Sequence, residues 1–320
     1  MSVSHWESYY RAGGLATCPT GPDGSYDQEV RQAWEAFFEP LPDGAALLDV
    51  GTGNGAIPLI ARELATRLHR SWEIHGTDLA PIDPARDVRD GRRRFAGIVF
   101  HGGVATETLP FADASFDAVS GQYALEYMAL EPALTELQRV LRPGGRMQFI
   151  LHHVDSVLVA NARESLGHAE LVLRDTRVYQ QLRRLLAAER ESPAAAETAA
   201  AAMNGAAARL HAAMKQAGSP LILHVTLDAL TQLWDLRRTL SAADVASEIE
   251  KVESELQASV QRLEALAGHA LSADDVTAMM QRFSALGFTG LQREPQVHAG
   301  SNLVGWRIAG TKPAVTADHD

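Results

Sequence analysis

The sequence predicts an α/β chain built on a doubly wound, mostly parallel sheet, with a large helical insertion after the fifth strand. Three observations carry that expectation. The stretch Leu47 to Ile60, LLDVGTGNGAIPLI, reads as a buried strand, a tight glycine turn and a helix with Pro58 near its start. From there to His153, strand-length apolar runs alternate with helical patterns. From Asp155 to about Gly268 the alternation stops, and the chain is helical in pattern and rich in alanine.

The length of 320 residues suits one large α/β domain with an insertion, or two domains. With 46% hydrophobic and 22% charged residues the chain can bury an ordinary core. A net charge of -11 argues against a nucleic-acid backbone or an anionic membrane as main partner, since both demand a basic face. Arg86, Arg89, Arg92, Arg93 and Arg94 form a local basic run that reads as a solvated helix face. Cys18 is the only cysteine, which leaves no intrachain disulfide and no cysteine-rich zinc site. The histidines show no ligand spacing, so no metal is expected. The N-terminus lacks a basic segment followed by an apolar one, and no run approaches bilayer-spanning length, so the expected location is cytoplasmic.

The glycine turn holds Gly51, Thr52, Gly53 and Gly55. Glycine allows unusual backbone angles and keeps side chains off a ligand, and the N–H groups that open the next helix face whatever is bound. GTGNGA fits the loose dinucleotide pattern, and Asp78 lies 23 residues past Gly55, where a ribose-binding acid belongs. Asp49, two residues before Gly51, shifts the balance, because its charge disfavours a pyrophosphate and suits an ammonium or sulfonium ligand. Here the chain resembles the class I S-adenosylmethionine-dependent methyltransferases, whose first motif runs acid, x, GxGxG. The resemblance implies a Rossmann-like, seven-stranded methyltransferase fold with S-adenosylmethionine as cofactor. It implies that Asp78, at the end of the strand Trp72 to Asp78, accepts the ribose hydroxyls, with Leu79 beside the adenine. From its own surroundings Asp78 also reads as a cap or turn acid before Pro81.

Residues 102 to 128, GGVATETLPFADASFDAVSGQYALEYM, are the second point of resemblance, to GDAExLPFxDxSFDxV. Leu109, Pro110, Phe111, Asp113, Ser115, Phe116, Asp117 and Val119 follow that pattern in register, and Glu107 is displaced by one. Where the family has an acid for the adenine amino group, this chain has Val104, Ala105 and Thr106. Adenine contact is therefore expected from backbone groups, Thr106 or apolar packing. Gln122 follows the fourth strand at its carboxyl end and joins the expected cofactor residues. GQYA does not match the NPPY-type motif of enzymes that methylate bases. Glu126 and Tyr127 stand where the family often has an acid or histidine pair, which makes them acceptor-side candidates; a helix-start acid and a core tyrosine are the plainer readings.

The helix Glu131 to Leu141 and the turn RPGG introduce a fifth strand that ends in His152 and His153. A histidine suits a general base for a hydroxyl acceptor, and alternation lets at most one of the pair face the site. Both read equally as satisfied structural histidines. In the N-terminal segment His5, Trp6, Glu7, Tyr9 and Tyr10 precede a probable helix from Tyr26 to Phe38. In the family such a segment often covers the cofactor, and Tyr10 is assigned to that contact.

The expected organisation is a helical cap at 1–45, a cofactor-binding core at 46–154 and 271–313, a helical insertion at 155–270 and a disordered tail at 314–320. Within the insertion Val245, Ile249, Val252, Leu256, Leu263 and Leu266 form a heptad seam interrupted by Ser259. An unpaired seam is sticky, so it is expected to pair either with the helix around Leu171 to Leu186 or between subunits; because the alanine-dominated stretch Ala194 to Ala208 offers it little, a homodimer is favoured, with the insertion as a lid. The expected function is methyl transfer from S-adenosylmethionine to a small-molecule acceptor, with oxygen first and nitrogen or carbon open. A nicotinamide-dependent oxidoreductase and a non-methylating protein of the same fold are the alternatives.

Overall fold

The structure, a computed structural model, describes residues 4–16 and 26–314, with side chains from Trp6 onward. Cys18, the side chain of His5 and the tail beyond Ala314 lie outside the described residues. Two compact units emerge, one formed by the chain up to Val159 and from His269 on, the other by Ala160–Gly268.

The first unit holds one seven-stranded sheet. Its strands are β1 (Ala46–Val50), β2 (Glu73–Asp78), β3 (Ile98–Gly102), β4 (Phe116–Gln122), β5 (Leu141–Leu151), β6 (Thr289–His298) and β7 (Asn302–Thr311), in the order β3-β2-β1-β4-β5-β7-β6. Strands β1 to β5 pair in parallel, and β7 runs antiparallel to both β5 and β6. The order reverses between β1 and β4, which opens a crevice at their carboxyl ends. Apolar layers cover both faces. Leu47 and Ala118 point into one core cluster, while Leu48, Val50 and Val119 point into the other.

Helix α1 (Ser4–Arg11) lies in the N-terminal segment, but α2 (Gln28–Phe38) does not behave as a cap. Asp27 caps α2 by accepting from the Val30 N–H, and Val30, Trp34, Phe37 and Phe38 are buried among residues of α3 (Ala56–Arg67). The helix face expected for the arginine run is split between two short helices, α4 (Pro84–Asp87) and α5 (Gly91–Arg94). Asp90 takes a left-handed φ of 57°, and a Cβ at Gly91 would stand 2.3 Å from the Pro84 carbonyl oxygen, so the chain must break there. The arginines of this run find local acids, Arg86 with Asp87 and Arg93 with Asp90.

The LPFADASFD stretch is scaffolding. Arg139, on α6 (Leu130–Val140), donates to Asp113, Glu136 and the carbonyls of Phe111 and Leu109. Asp117 accepts from the Ala46 N–H and from Arg142, and Phe111 packs edge-on against Phe116. After the second unit, Ser272 and Asp275 form a capping box at α12 (Ala273–Ala285).

The second unit is helical. It contains most of α7 (Val157–Glu170), then a π-helical turn Leu171–Asp175, α8 (Val178–Ala188), α9 (Pro193–Met214), α10 (Leu221–Leu236) and α11 (Ala242–His269). The alanine stretch is continuous helix, and only Ala206 and Leu210 of α9 are buried. The heptad seam closes inside this unit. Val245 and Ile249 are core residues beside Tyr179, Leu182 and Leu223, with Val252, Leu256, Val260 and Leu263 packed on the same cluster, and Arg183 pairs with Glu253 at 2.7 Å. That removes the argument for a homodimer drawn from an uncovered seam. Among the described residues no helix is long and apolar enough to cross a membrane.

Candidate active site

The glycine turn needs its glycines for packing as much as for a ligand. Gly51 has φ 61°, and a Cβ there would meet the Ala124 Cβ at 2.3 Å, because the turn presses on the segment that follows β4. A Cβ on Gly53, at φ 52°, would strike the Tyr10 ring at 2.8 Å. The space over Gly53 is thus occupied by Tyr10 of α1.

Two buried carboxylates flank the turn. Asp49, the last residue but one of β1, pairs in register with Ser120 of β4, whose hydroxyl donates to it at 2.6 Å. Burial pushes Asp49 up to about 7, the hydroxyls of Ser120 and Thr52 oppose this, and Asp78 adds to it. Asp78 ends β2 and accepts from the Gly53 and Ala80 N–H groups, each at 2.8 Å. Its burial raises it to about 6 against the pull of those two bonds. Each oxygen keeps a lone pair beyond the backbone bond, so Asp78 both shapes the turn and can accept from a diol.

The cover is fastened by the turn itself. The Asn54 amide, buried, donates to the carbonyls of Tyr10 and Gly14, each at 2.8 Å. Burial first, then Asp78, holds the Tyr10 phenol well above its ordinary value, and so neutral. Trp6 stacks on Tyr10 at 6.1 Å and meets Tyr127 edge-on at 6.2 Å. Leu79 is 47% exposed, unusual for a leucine. The Val104 N–H donates to the Asp78 carbonyl, Ala105 precedes a single helical turn Thr106–Thr108, and Thr106 is buried. Glu107, the displaced acid, accepts from the Ala129 N–H and serves the backbone. Gln122 is buried at the end of β4; its oxygen accepts from Trp34 Nε1 at 2.6 Å, and its Nε2 has no hydrogen-bond partner.

Beyond β4 and β5 the structure assembles a second group. Glu126 and Tyr127 lie on the helical turn Leu125–Tyr127. Glu126 Oε1 accepts from both the backbone N–H and Nδ1 of His152, each at 2.8 Å, and the Glu126 side chain is fully shielded. Tyr123, in a left-handed conformation at φ 54°, stacks on the His152 ring at 4.0 Å. The imidazole is therefore held on one face and one edge, leaving a buried Nε2 without a partner. Tyr127 stands edge-on to His152 at 6.1 Å and stacks on His269 at 4.8 Å. His153 points the other way, to Trp306 of β7, and its backbone bridges to Leu271. Burial pulls its pKa down, Asp155 opposes that and Arg293 adds to it. Of the two histidines, only His152 shares this group.

A family profile described as "Methyltransferase domain" matches residues 48–149, which span the glycine turn, both carboxylates and Glu126. Residues 48–149 thus match a methyltransferase domain. Over 118 residues it is 36% identical to a demethylmenaquinone methyltransferase of Thermus thermophilus, covering 37% of this chain and 50% of that protein. It is 29% identical over 135 residues to a malonyl-[acyl-carrier protein] O-methyltransferase of Enterobacter lignolyticus, covering 41% and 49%. The chain thus spans about half the length of the curated relatives it matches. Among solved structures, the C-methyltransferase domain of the citrinin polyketide synthase is similar over 89% of this chain and 52% of that one, at 13% identity and a TM-score of 0.44. S-adenosylmethionine is the cofactor of the methyltransferase domain, and the donor set fits it, with two buried acids for cationic and hydroxyl groups and exposed Leu79 for a base.

Ser120, Asn54, Trp34, Tyr123 and His269 belong to this neighbourhood and were not singled out from sequence. Ser120 was within reach, since aligning the ends of the first and fourth strands sets it opposite Asp49.

Proposed function

We propose that the chain transfers a methyl group from S-adenosylmethionine to a small acceptor whose own proton must leave, with His152 as the base and Glu126 as the residue that orients it. One observation supports this above others: a buried His152 Nε2 without a protein partner, on a ring whose Nδ1 is committed to Glu126. A carboxylate can only accept, so the proton sits on Nδ1 and the Nε2 lone pair is free to take one. The sulfonium supplies an activated methyl group. The acceptor's new bond to carbon forms as the carbon–sulfur bond breaks, its electron pair stays on sulfur, and the acceptor proton goes to Nε2. Alignment in a cleft closed by Trp6, Tyr10 and Tyr127 supplies the remainder of the rate. Asp49 receives the cationic part of the cofactor, Asp78 its ribose hydroxyls, and Leu79, Val104, Ala105 and Thr106 its adenine.

Oxygen is the first acceptor atom, since a hydroxyl proton that must leave calls for a positioned base such as a histidine. Relatives named as C-methyltransferases favour an acidified carbon as the second. Within the core unit the Leu271 N–H donates to the His152 carbonyl at 2.9 Å, which fixes the backbone behind the base.

The deciding experiment is an acceptor screen with methyl-deuterated S-adenosylmethionine, read by mass and fragment. His152→Ala is expected to lower single-turnover transfer by about a hundredfold or more while S-adenosylhomocysteine still binds. Unchanged transfer would remove the base, and heat of binding with NAD but none with S-adenosylhomocysteine would remove the reaction.

A further inference from the structure

Away from the cleft, two acids at the start of α2 and a histidine remote from them in sequence converge where α2 meets the β6–β7 hairpin. Asp27, Glu29 and His298 bring one donor atom each to within 4.8 Å of one another. We propose that these residues form a binding site for a divalent first-row metal ion such as zinc, which fastens the hairpin to α2.

The three atoms Asp27 Oδ2, Glu29 Oε2 and His298 Nδ1 are each buried at the atom and have only one another as polar partners, with His298 Nδ1 in direct contact with Asp27 Oδ2 and 3.8 Å from Glu29 Oε2. The other oxygen of each acid is already committed: Asp27 Oδ1 accepts from the Val30 N–H at 2.9 Å, and Glu29 Oε1 from the Gly300 N–H at 3.1 Å. Those bonds fix the carboxylates so that their free oxygens face His298, the outer-shell arrangement that orients ligands around a metal. Among the described residues neither acid meets a lysine or arginine at ion-pair distance, and His298 is the one basic group at both. Two carboxylates held together in this way repel each other, and a doubly charged cation neutralises both.

The hairpin is shaped to deliver His298. The β6–β7 register slips between Gln296 and Val297, a bulge that re-aims the residue after it. Ala299 and Gly300 then take left-handed angles of 48° and 82°, which turns the Gly300 N–H onto Glu29. One imidazole with two carboxylates suits zinc and its first-row neighbours. In tetrahedral geometry neighbouring ligand atoms stand about 3.4 Å apart, within reach of the observed spread after small side-chain rotations. Water completes the shell, since the Glu29 side chain is 41% and that of His298 34% exposed. An ion here would stiffen the start of the helix that carries Trp34, the donor to Gln122.

The test is calorimetric titration of the chelator-treated full chain with zinc, and with cobalt for its visible absorption bands. One ion per chain is expected, with a rise in unfolding temperature on zinc addition. His298→Ala and Asp27→Asn are each expected to weaken binding at least tenfold. Asn can still cap α2 through its oxygen, so Asp27→Asn keeps the fold and isolates the lost ligand, and circular dichroism of both variants checks that they are folded. No one-to-one binding by the parent, or equal binding by both folded variants, would overturn the site and leave a histidine–carboxylate ion pair.

Discussion

Asp49 makes cofactor binding and stability depend on pH in opposite senses. In the free protein burial lifts it to about 7, so near neutrality roughly half of the molecules carry a proton there. A bound ammonium or sulfonium favours the ionised form, so binding must release that proton. At pH 6 about a tenth of the molecules are ionised and at pH 8 about nine-tenths, which gives about a tenfold rise in affinity across the interval. Calorimetry with S-adenosylmethionine, repeated in buffers of different ionisation enthalpy, reads both the affinity and the proton released. Asp49→Asn keeps an acceptor for the Ser120 hydroxyl and removes the titration, so its affinity is expected to be lower and flat over the same range. Stability runs the other way. A group whose folded pKa is raised stabilises fully below its unfolded pKa and loses that contribution as pH rises through the folded value. Between pH 5 and 8 Asp49 loses about 3 kcal/mol and Asp78, at about 6, about 1 kcal/mol, each taken as an upper bound. The unliganded protein should therefore melt at a lower temperature at pH 8 than at pH 5. The acids held below their ordinary values, Glu35, Glu136 and Asp275, titrate at lower pH and leave that window alone. Affinity that is flat from pH 6 to 8 in the parent, or the same slope in Asp49→Asn, would refute this reasoning.

Asp78→Ala strands the Gly53 and Ala80 N–H groups, at about 1–3 kcal/mol each, but also relieves a buried charge worth about 3 kcal/mol, so stability at pH 8 should stay within about 3 kcal/mol of the parent. Affinity for S-adenosylhomocysteine should fall about ten- to a hundredfold, and equal affinity by calorimetry would remove the ribose assignment. Arg139→Ala removes the tie between α6 and the LPFADASFD stretch and should destabilise by about 2–4 kcal/mol in urea unfolding, with cofactor affinity nearly unchanged in the folded fraction. A stability loss below about 0.5 kcal/mol would show that the tie is dispensable.

The parts legible in the sequence are those fixed by local rules. Strand, glycine turn and helix at 46–67, the Ser272 cap and the late helical insertion follow from periodicity and end signals, because neighbouring residues settle them. The split between α4 and α5 was missed because it depends on Asp90 adopting a left-handed angle. The seam was legible as a pattern, with the helix around Leu171 to Leu186 as one of two candidate partners; the choice between that helix and a second subunit was not legible, since a heptad says that a face must be covered and not by what. Glu126, Tyr127 and His152 could be named one by one; that Glu126 holds His152 while His153 turns to Trp306 depends on the pairing across β4 and β5. The Asp27, Glu29 and His298 cluster spans 271 residues between its ends, beyond the reach of any spacing rule.

Asn54 ties the cover to the turn it covers, and the tie has a consequence for populations. In the proposed binding mode a cofactor enters under α1 and displaces Tyr10 from Gly53; lifting the segment itself breaks both bonds from the Asn54 amide to the Tyr10 and Gly14 carbonyls. If these two bonds cost about 2 kcal/mol to break together, the open form is a few per cent of the molecules at any moment. The measured affinity is then the intrinsic one divided by some thirty, and the approach of the ligand waits on opening instead of diffusion. A change at Asn54 that frees the segment would raise the entry rate, and it would raise the escape rate as well, since the same latch closes behind the bound cofactor.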